Sequence, residues 1–424
     1  MSVLEDVGTL RDHVIGLRHA LHREPEIGLM LPRTQEKVLR ALEGLPLEIS
    51  LGRRTTSVTA VLRGTGASRV GDDAPVVLVR ADMDALPVRE ALDLPFRSQI
   101  DGAMHACGHD LHTAMLVGAA HLLCRRREQL AGDVVFMFQP GEESWNGAGV
   151  MIEEGVLSAA GRPAEAAFGL HVFSGLVGHG QFFTRPGPMM AASDQLHVTV
   201  IGEGGHGSAP HLARDPIPVV AEMITSLQTM VTRQFDIFDP VVVTVGMIQG
   251  GTKANVIPDV ATFQATVRTF SERSRERVSV AAPRLLSALA EGHGLEARVD
   301  YVPGYPVTHN DVDETAFSTA TARDLFGEAR NEHMAHPLAG AEDFSRVLNE
   351  VPGSFMGLGA TPPGVDPASA PFNHSPYAAY DDGVLLDGAA LYAEWAVRRL
   401  EMARLHGAGA AADGRSATGE EVRG

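Results

Sequence analysis

The sequence predicts an α/β fold in which a first α/β domain is interrupted by an inserted βαββαβ, ferredoxin-like domain. Three observations predict it. Short apolar runs of the buried-strand type recur at 75–80, 133–138 and 166–172, and each delivers an acidic residue or a histidine at or just past its end. A Pro/Gly/Ala-rich link at 186–192 then changes the texture of the chain. Beyond it, strand and helix patterns alternate in the order β-α-β-β-α-β. A length of 424 residues, 44% of them hydrophobic, is long for one core and comfortable for two.

Taken in order, residues 4–22 have helical spacing of Leu10, Val14, Leu17 and Leu21, ending near Pro25. A second helix starts at 32–34 and runs to Leu42, with Val38, Leu39 and Leu42 inward. Strands follow at 57–63 and 75–80. The second leads into A-D-M-D-A-L-P, which places Asp82 and Asp84 at a strand's C-terminal end, where open α/β sheets keep their chemistry. Residues 114–130 read as a helix. Strand 133–138 opens into Q-P-G-E-E-S, and strand 166–172 carries His171 near its end. In the insert, Leu196, Val198 and Val200 alternate along strand 194–201. Helix 216–233, strands 240–248 and 260–269, helix 272–291 and strand 295–302 complete it. From Tyr305 the first domain resumes, with helices near 315–325, 342–349 and 383–405. The expected domains are therefore 1–191 with 303–405, and 192–302. The polar, Ala/Gly-rich stretch 406–424 has no apolar period and is expected to be a disordered tail.

Charge excludes some functions. With 35 Lys and Arg against 53 Asp and Glu, the net charge is −18, which argues against nucleic acid and against an anionic membrane as partner. No apolar run approaches the ~20 residues of a membrane span, and residues 1–23 lack a signal-peptide pattern. Cys107 and Cys124 are too few for a disulfide framework, so a cytoplasmic, reducing setting is expected.

The chemistry concentrates in M-H-A-C-G-H-D-L-H-T, residues 104–113, and in Glu142 and Glu143. Cys107 and His109 are two apart, so an extended segment presents both on one face, a donor pair suited to a borderline-soft divalent ion such as zinc. On an extended strand end, Glu142 and Glu143 point to opposite sides, one available to a metal and the other to an attacking water. Asp84 is placed to orient a metal-binding histidine from behind, and Asp82 is as readily structural. Gly204, Gly205 and Gly207 have phosphate-loop spacing, but the Lys-Ser/Thr pair of that motif is absent.

In order, L-H-R-E-P-E (21–26), R-A-D-M-D-A-L-P (80–87), M-H-A-C-G-H-D (104–110), Q-P-G-E-E (139–143), G-L-H-V (169–172), G-G-H-G-S-A-P-H (204–211), G-G-T-K-A-N-V-I-P (250–258), G-A-E-D-F (340–344) and N-H-S-P (373–376) resemble the M20 metallopeptidase superfamily. The resemblance covers nearly the whole chain. It points to the subfamily D branch of N-acyl-amino-acid amidohydrolases, which includes hippurate and auxin-conjugate hydrolases. It implies a metal-bearing catalytic domain with a lid used for dimerisation, a homodimer or higher homo-oligomer, and two divalent ions (Zn, Mn, Co or Ni). The implied ligands are Cys107, His109, Glu143, His171 and His374. Glu142 is then the general base and acid, working on metal-activated water. His206 reaches the partner subunit's active site to stabilise the oxyanion, and Asn255 and Arg268 grip the substrate's free carboxylate. One departure stands out: the wider superfamily has His-x-Asp where this chain has Asp82-Met83-Asp84, so His109 takes the missing histidine's place, and Cys107 stands where a bridging Asp is usual.

The implied reaction is hydrolysis of an N-acyl amino acid to a carboxylate and a free amino acid. A dipeptidase or carboxypeptidase on the same scaffold is the near rival. A cysteine hydrolase built on Cys107 explains neither the glutamate pair nor His171, and a structural zinc site leaves a surplus of ligands and a spare carboxylate.

Overall fold

The structure, a computed structural model, describes residues 3–67, 69 and 73–416, with side chains as far as residue 405. The chain divides into two units. The first holds Met1–Gly187, Asn310–Ala335 and Arg346–Gly424, and the second holds Pro188–His309 and His336–Ser345. Residues 336–345 join the second unit because Leu338 donates to the carbonyl of Met189 (2.9 Å) and accepts from the amide of Ala191 (3.0 Å).

The first unit is built on a mixed eight-stranded sheet. Its order is Glu48–Leu51, Val58–Leu62, Asp133–Gln139, Val76–Asp82, Ala166–Phe173, Gly353–Gly359, Phe182–Thr184 and Asn331–His333. The middle four run parallel and are buried along their whole length, as strands covered on both faces are. Helices Arg11–Arg23, His109–Arg125 and Val384–Ser416 pack together over the sheet. Trp395 of the last helix is fully buried, stacked on Phe168 of the sheet with centroids 5.2 Å apart, and its Nε1 donates to Ser318 Oγ at 2.9 Å.

Several elements differ from the sequence reading. The first predicted helix is two, Val3–Gly8 and Arg11–Arg23. Thr9 breaks the run, because its hydroxyl competes for the carbonyl of Asp6 (2.7 Å). Strand Gly353–Gly359 escaped notice because three of its seven residues are glycines, which carry no strand signal. Gly357 is required there: a Cβ would meet the Phe183 ring at 2.1 Å. The last helix continues past Leu405 to Ser416, into the stretch expected to be disordered. The remainder of the expected tail, 417–424, lies outside the described residues.

The second unit is a four-stranded antiparallel sheet in the order Val241–Gly250, Val260–Thr269, Ala192–Ile201 and Glu296–Tyr305. Helices Pro216–Gln234 and Glu272–Gly292 pack against it, burying Met223, Leu227, Val278 and Leu286 on Leu196, Val198, Val200 and Phe263. Both helices start on a side-chain cap. Asp215 accepts from the Ile217 amide ahead of a proline at the first helical position, and Ser271 accepts from the Ser274 amide. This is the predicted βαββαβ unit. No helix among the described residues is long and apolar enough to cross a membrane.

Candidate metal centre and active site

The C-terminal ends of the parallel strands converge on one edge of the first unit. Val76–Asp82 runs on to Asp84, Asp133–Gln139 runs on to Glu142 and Glu143, and Ala166–Phe173 carries His171. The Cys107–His109 segment is a turn rather than an extended strand. Gly108 has φ 85°, and the helix His109–Arg125 begins directly after it. Only glycine fits here: the φ is left-handed, and a Cβ would sit 2.4 Å from Val172 Cγ2.

The glutamate pair is also not a strand end. Gly141, Ser144 and Asn146 all have left-handed φ, and this tight turn brings carboxylate oxygens of Glu142 and Glu143 within 4.8 Å of each other and of a His109 nitrogen. The two side chains converge instead of diverging. Asp84 holds the turn with both oxygens, Oδ1 accepting from the Glu142 amide and Oδ2 from the Glu143 amide, each at 3.0 Å. Hydrogen bonds to a charged group contribute about 1.5–3 kcal/mol each. The pair therefore offsets left-handed backbone at Ser144, which costs about 1–2 kcal/mol. Asp84 Oδ1 also lies 3.5 Å from His109 Nδ1, so its support of the histidine is the lesser contact.

His374 enters from the far end of the chain at φ 73°, its amide donating to the carbonyl of Ala106 at 2.8 Å. Its Nε2 is 3.1 Å from Glu143 Oε1, and Cys107 Sγ is 3.4 Å from His171 Nε2. Donor atoms of Cys107, His109 and His171 lie within 4.8 Å of one another, as do those of Cys107, Glu143 and His374. The two triads share the sulfur. All five proposed ligands thus come together around Cys107, with Glu142 buried beside them.

The residues fit a cation pair. Both ring nitrogens of the fully buried His109 lack a hydrogen-bond partner, an arrangement that buried polar groups avoid without a ligand. The pocket's negative charge is also legible in its imidazoles. Cys107 and Glu143 push His374 up to about 10, and Asp82 and Cys107 hold His109 well above its usual range against the opposing effect of burial. Burial instead drives His171 well down, which keeps it a neutral donor. A thiolate, three imidazoles and a carboxylate suit a borderline-soft divalent ion.

His112 was overlooked in the sequence. Its Nδ1 is 2.5 Å from Asp82 Oδ1, and its Nε2 accepts from the Val172 amide at 2.7 Å, so both nitrogens are engaged and it supports rather than ligates. Asp82 in turn accepts from Arg80 Nη1 at 2.7 Å, and Arg80 Nε donates to Gln139 at 2.9 Å. The signal was available, because His112 follows His109 by three positions and shares its helix face.

The remaining predicted residues belong to the second unit. His206 is exposed on the short strand Gly205–His206, paired with Val256, and the carbonyl of Asn255 accepts from the Gly207 amide at 2.9 Å. Arg268 is half-buried on Val260–Thr269 between Ser193 and Val242, with its Nη1 lacking a hydrogen-bond partner. It stands eight residues along its strand from the end that leads to Asn255, roughly 26 Å of β-structure. Within one chain the structure does not bring Arg268 to Asn255.

Residues 78–398 match the Peptidase family M20/M25/M40. The IAA-amino acid hydrolase ILR1-like 4 of Arabidopsis thaliana is 37% identical over 92% of this chain and 86% of its own length. The N-acetylcysteine deacetylase of Bacillus subtilis is 36% identical over 92% of this chain and 97% of its own. Thermostable carboxypeptidase 2 of Saccharolobus solfataricus is 36% identical over 93% and 97%. Among solved structures, the YXEP protein of Bacillus subtilis, described as a dinuclear metal binding peptidase, superposes with a TM-score of 0.79 at 33% identity, covering 93% of this chain and 99% of that one.

Proposed function

The chain belongs to the M20/M25/M40 peptidase family and is a hydrolase, and from that premise we propose that it cleaves the amide of N-acyl amino acids to a carboxylic acid and a free amino acid. The observation that carries this is the pocket itself: two triads sharing Cys107, an unsatisfied His109, and a second glutamate beside them. Cys107, His109, Glu143, His171 and His374 would hold two divalent ions, zinc, manganese, cobalt or nickel. When bound, such ions polarise a carbonyl and lower the pKa of water toward ~7.

Glu142, buried and held by the Asp84 clamp, takes the proton of the attacking water and passes it to the departing amine. Asp84 fixes the backbone of both glutamates and His112 fixes the strand carrying His171, so the acid–base group and the ligand set keep one geometry through the reaction. His206 donates to the developing oxyanion, and Asn255 and Arg268 bind the free carboxylate of the amino-acid portion. Since His206 and Asn255 sit at the opposite end of the lid sheet from Arg268, a single lid does not present all three to one small substrate. This favours a homo-oligomer in which two copies contribute to each site.

A carboxypeptidase reading has support in the Saccharolobus relative, and a substrate panel separates the two. Greater kcat/KM on N-acetyl and N-benzoyl amino acids than on dipeptides and longer peptides is expected, and the reverse order would favour the carboxypeptidase. Glu142→Gln should keep its metal content and lose about 10²–10⁴-fold in kcat. Full activity in that variant would remove Glu142 from the mechanism.

A further inference from the structure

We propose that Asn373 is a positioning residue whose side-chain amide locks the two ligand-bearing segments together and donates a hydrogen bond to the Cys107 thiolate, tuning its strength as a metal donor. The inference deepens the proposed function and rests on its metal site. Nothing in the resemblance gave Asn373 a role; it was only the first letter of N-H-S-P.

The geometry is specific. Asn373 Oδ1 accepts from the Ser174 amide at 2.8 Å. That bond sets the orientation of the side chain, because a backbone N–H requires the oxygen and not the NH2 group on that side. The NH2 group then faces three acceptors: the carbonyl of Val172 at 3.1 Å, the carbonyl of Cys107 at 3.3 Å and Cys107 Sγ at 3.7 Å. One buried side chain therefore grips the Ala166–Phe173 strand on both sides of Phe173, next to His171, and also grips the turn that carries Cys107. Asn373 directly precedes His374, which is held in left-handed backbone. Three of the five proposed ligands, Cys107, His171 and His374, thus depend on this residue for their mutual placement. An N–H directed at a thiolate withdraws charge from the sulfur, and in metal sites such outer partners change both affinity and electronic character.

The test uses the full-length protein loaded with Co2+, whose sulfur-to-cobalt charge-transfer absorption reports the electron richness of the thiolate. The wild-type band should vanish in Cys107→Ser, which assigns it to Cys107 and not to Cys124. Asn373→Ala should bind Co2+ about 10–100-fold more weakly and shift the band to lower energy. Asn373→Asp keeps the volume and the acceptor for Ser174 but has no NH2 group, so it should show the same shift to lower energy in a folded protein even if the alanine variant does not fold. A purely structural role would alter thermal stability and leave the band where it is. An unchanged band in Asn373→Asp therefore overturns the proposal while leaving the metal site intact. If wild-type protein gives no thiolate–cobalt band, Cys107 is not a ligand, and the proposal falls together with the metal assignment.

Discussion

At the scale of single residues, Asp84 shows how one carboxylate can organise chemistry it does not perform. The sequence suggests it as support for a metal-binding histidine, yet its two closest contacts are the amides of Glu142 and Glu143, fixed by a turn that no spacing rule announces. Asp84→Ala leaves two inward-facing amides without their partner and releases a strained turn. It should lower kcat at least as far as it weakens metal binding, whereas an effect on metal affinity alone would confine Asp84 to His109. The donor residues themselves were legible, because Cys107, His109 and the glutamates announce themselves by type. The turns that aim them were not, since these depend on left-handed backbone at Gly108, Gly141 and Ser144 that a strand-based reading turns the wrong way.

Among elements, three of the four central parallel strands were plain in the sequence because burial on both faces demands apolar runs, and the four lid strands because alternation marks a half-buried sheet. The strand Gly353–Gly359 and the edge strand Glu48–Leu51 were not, since glycines interrupt the first and the second is exposed throughout. Helix His109–Arg125 begins at the candidate metal site, five residues earlier than its apolar period indicates, because its first turn is built mostly of polar residues that are nonetheless buried. Gly108→Ala tests that junction. A methyl group 2.4 Å from Val172 on a left-handed residue should displace Cys107 from His109. The variant is expected to retain its helical circular dichroism while its divalent-ion affinity drops at least tenfold. Unchanged affinity would mean that the turn does not set the ligand spacing.

At the scale of the molecule, the two units carry separate cores and separate polar ties. In the second unit Asp194 accepts from Arg275 Nε (2.9 Å) and Nη2 (2.8 Å), from Tyr301 Oη (2.8 Å) and from the Gly304 amide (2.8 Å). Burial alone would raise its pKa, but Arg275, the Gly304 amide and Tyr301 bring it below the ordinary 3.8. A folded pKa below the unfolded one gives stabilisation that is complete above the unfolded value and lost as pH falls through the folded value. Asp194→Asn should therefore lower the thermal midpoint of the second unit at pH 7 and match wild type once the pH is taken below the folded pKa. A difference that persists undiminished in acid would assign the effect to packing instead.

In the proposed mechanism Cys107, His109, Glu143, His171 and His374 together hold two divalent ions on which amide hydrolysis depends. The direct measurement strips the protein with a chelator and returns Zn2+, Mn2+, Co2+ or Ni2+ in counted equivalents while hydrolysis of an N-acetyl amino acid is followed. Activity should disappear on stripping and be restored in full by two equivalents per chain with at least one of these ions. Hydrolysis that survives chelation and is abolished by alkylation of Cys107 would rule out the metal mechanism and make the thiol the nucleophile.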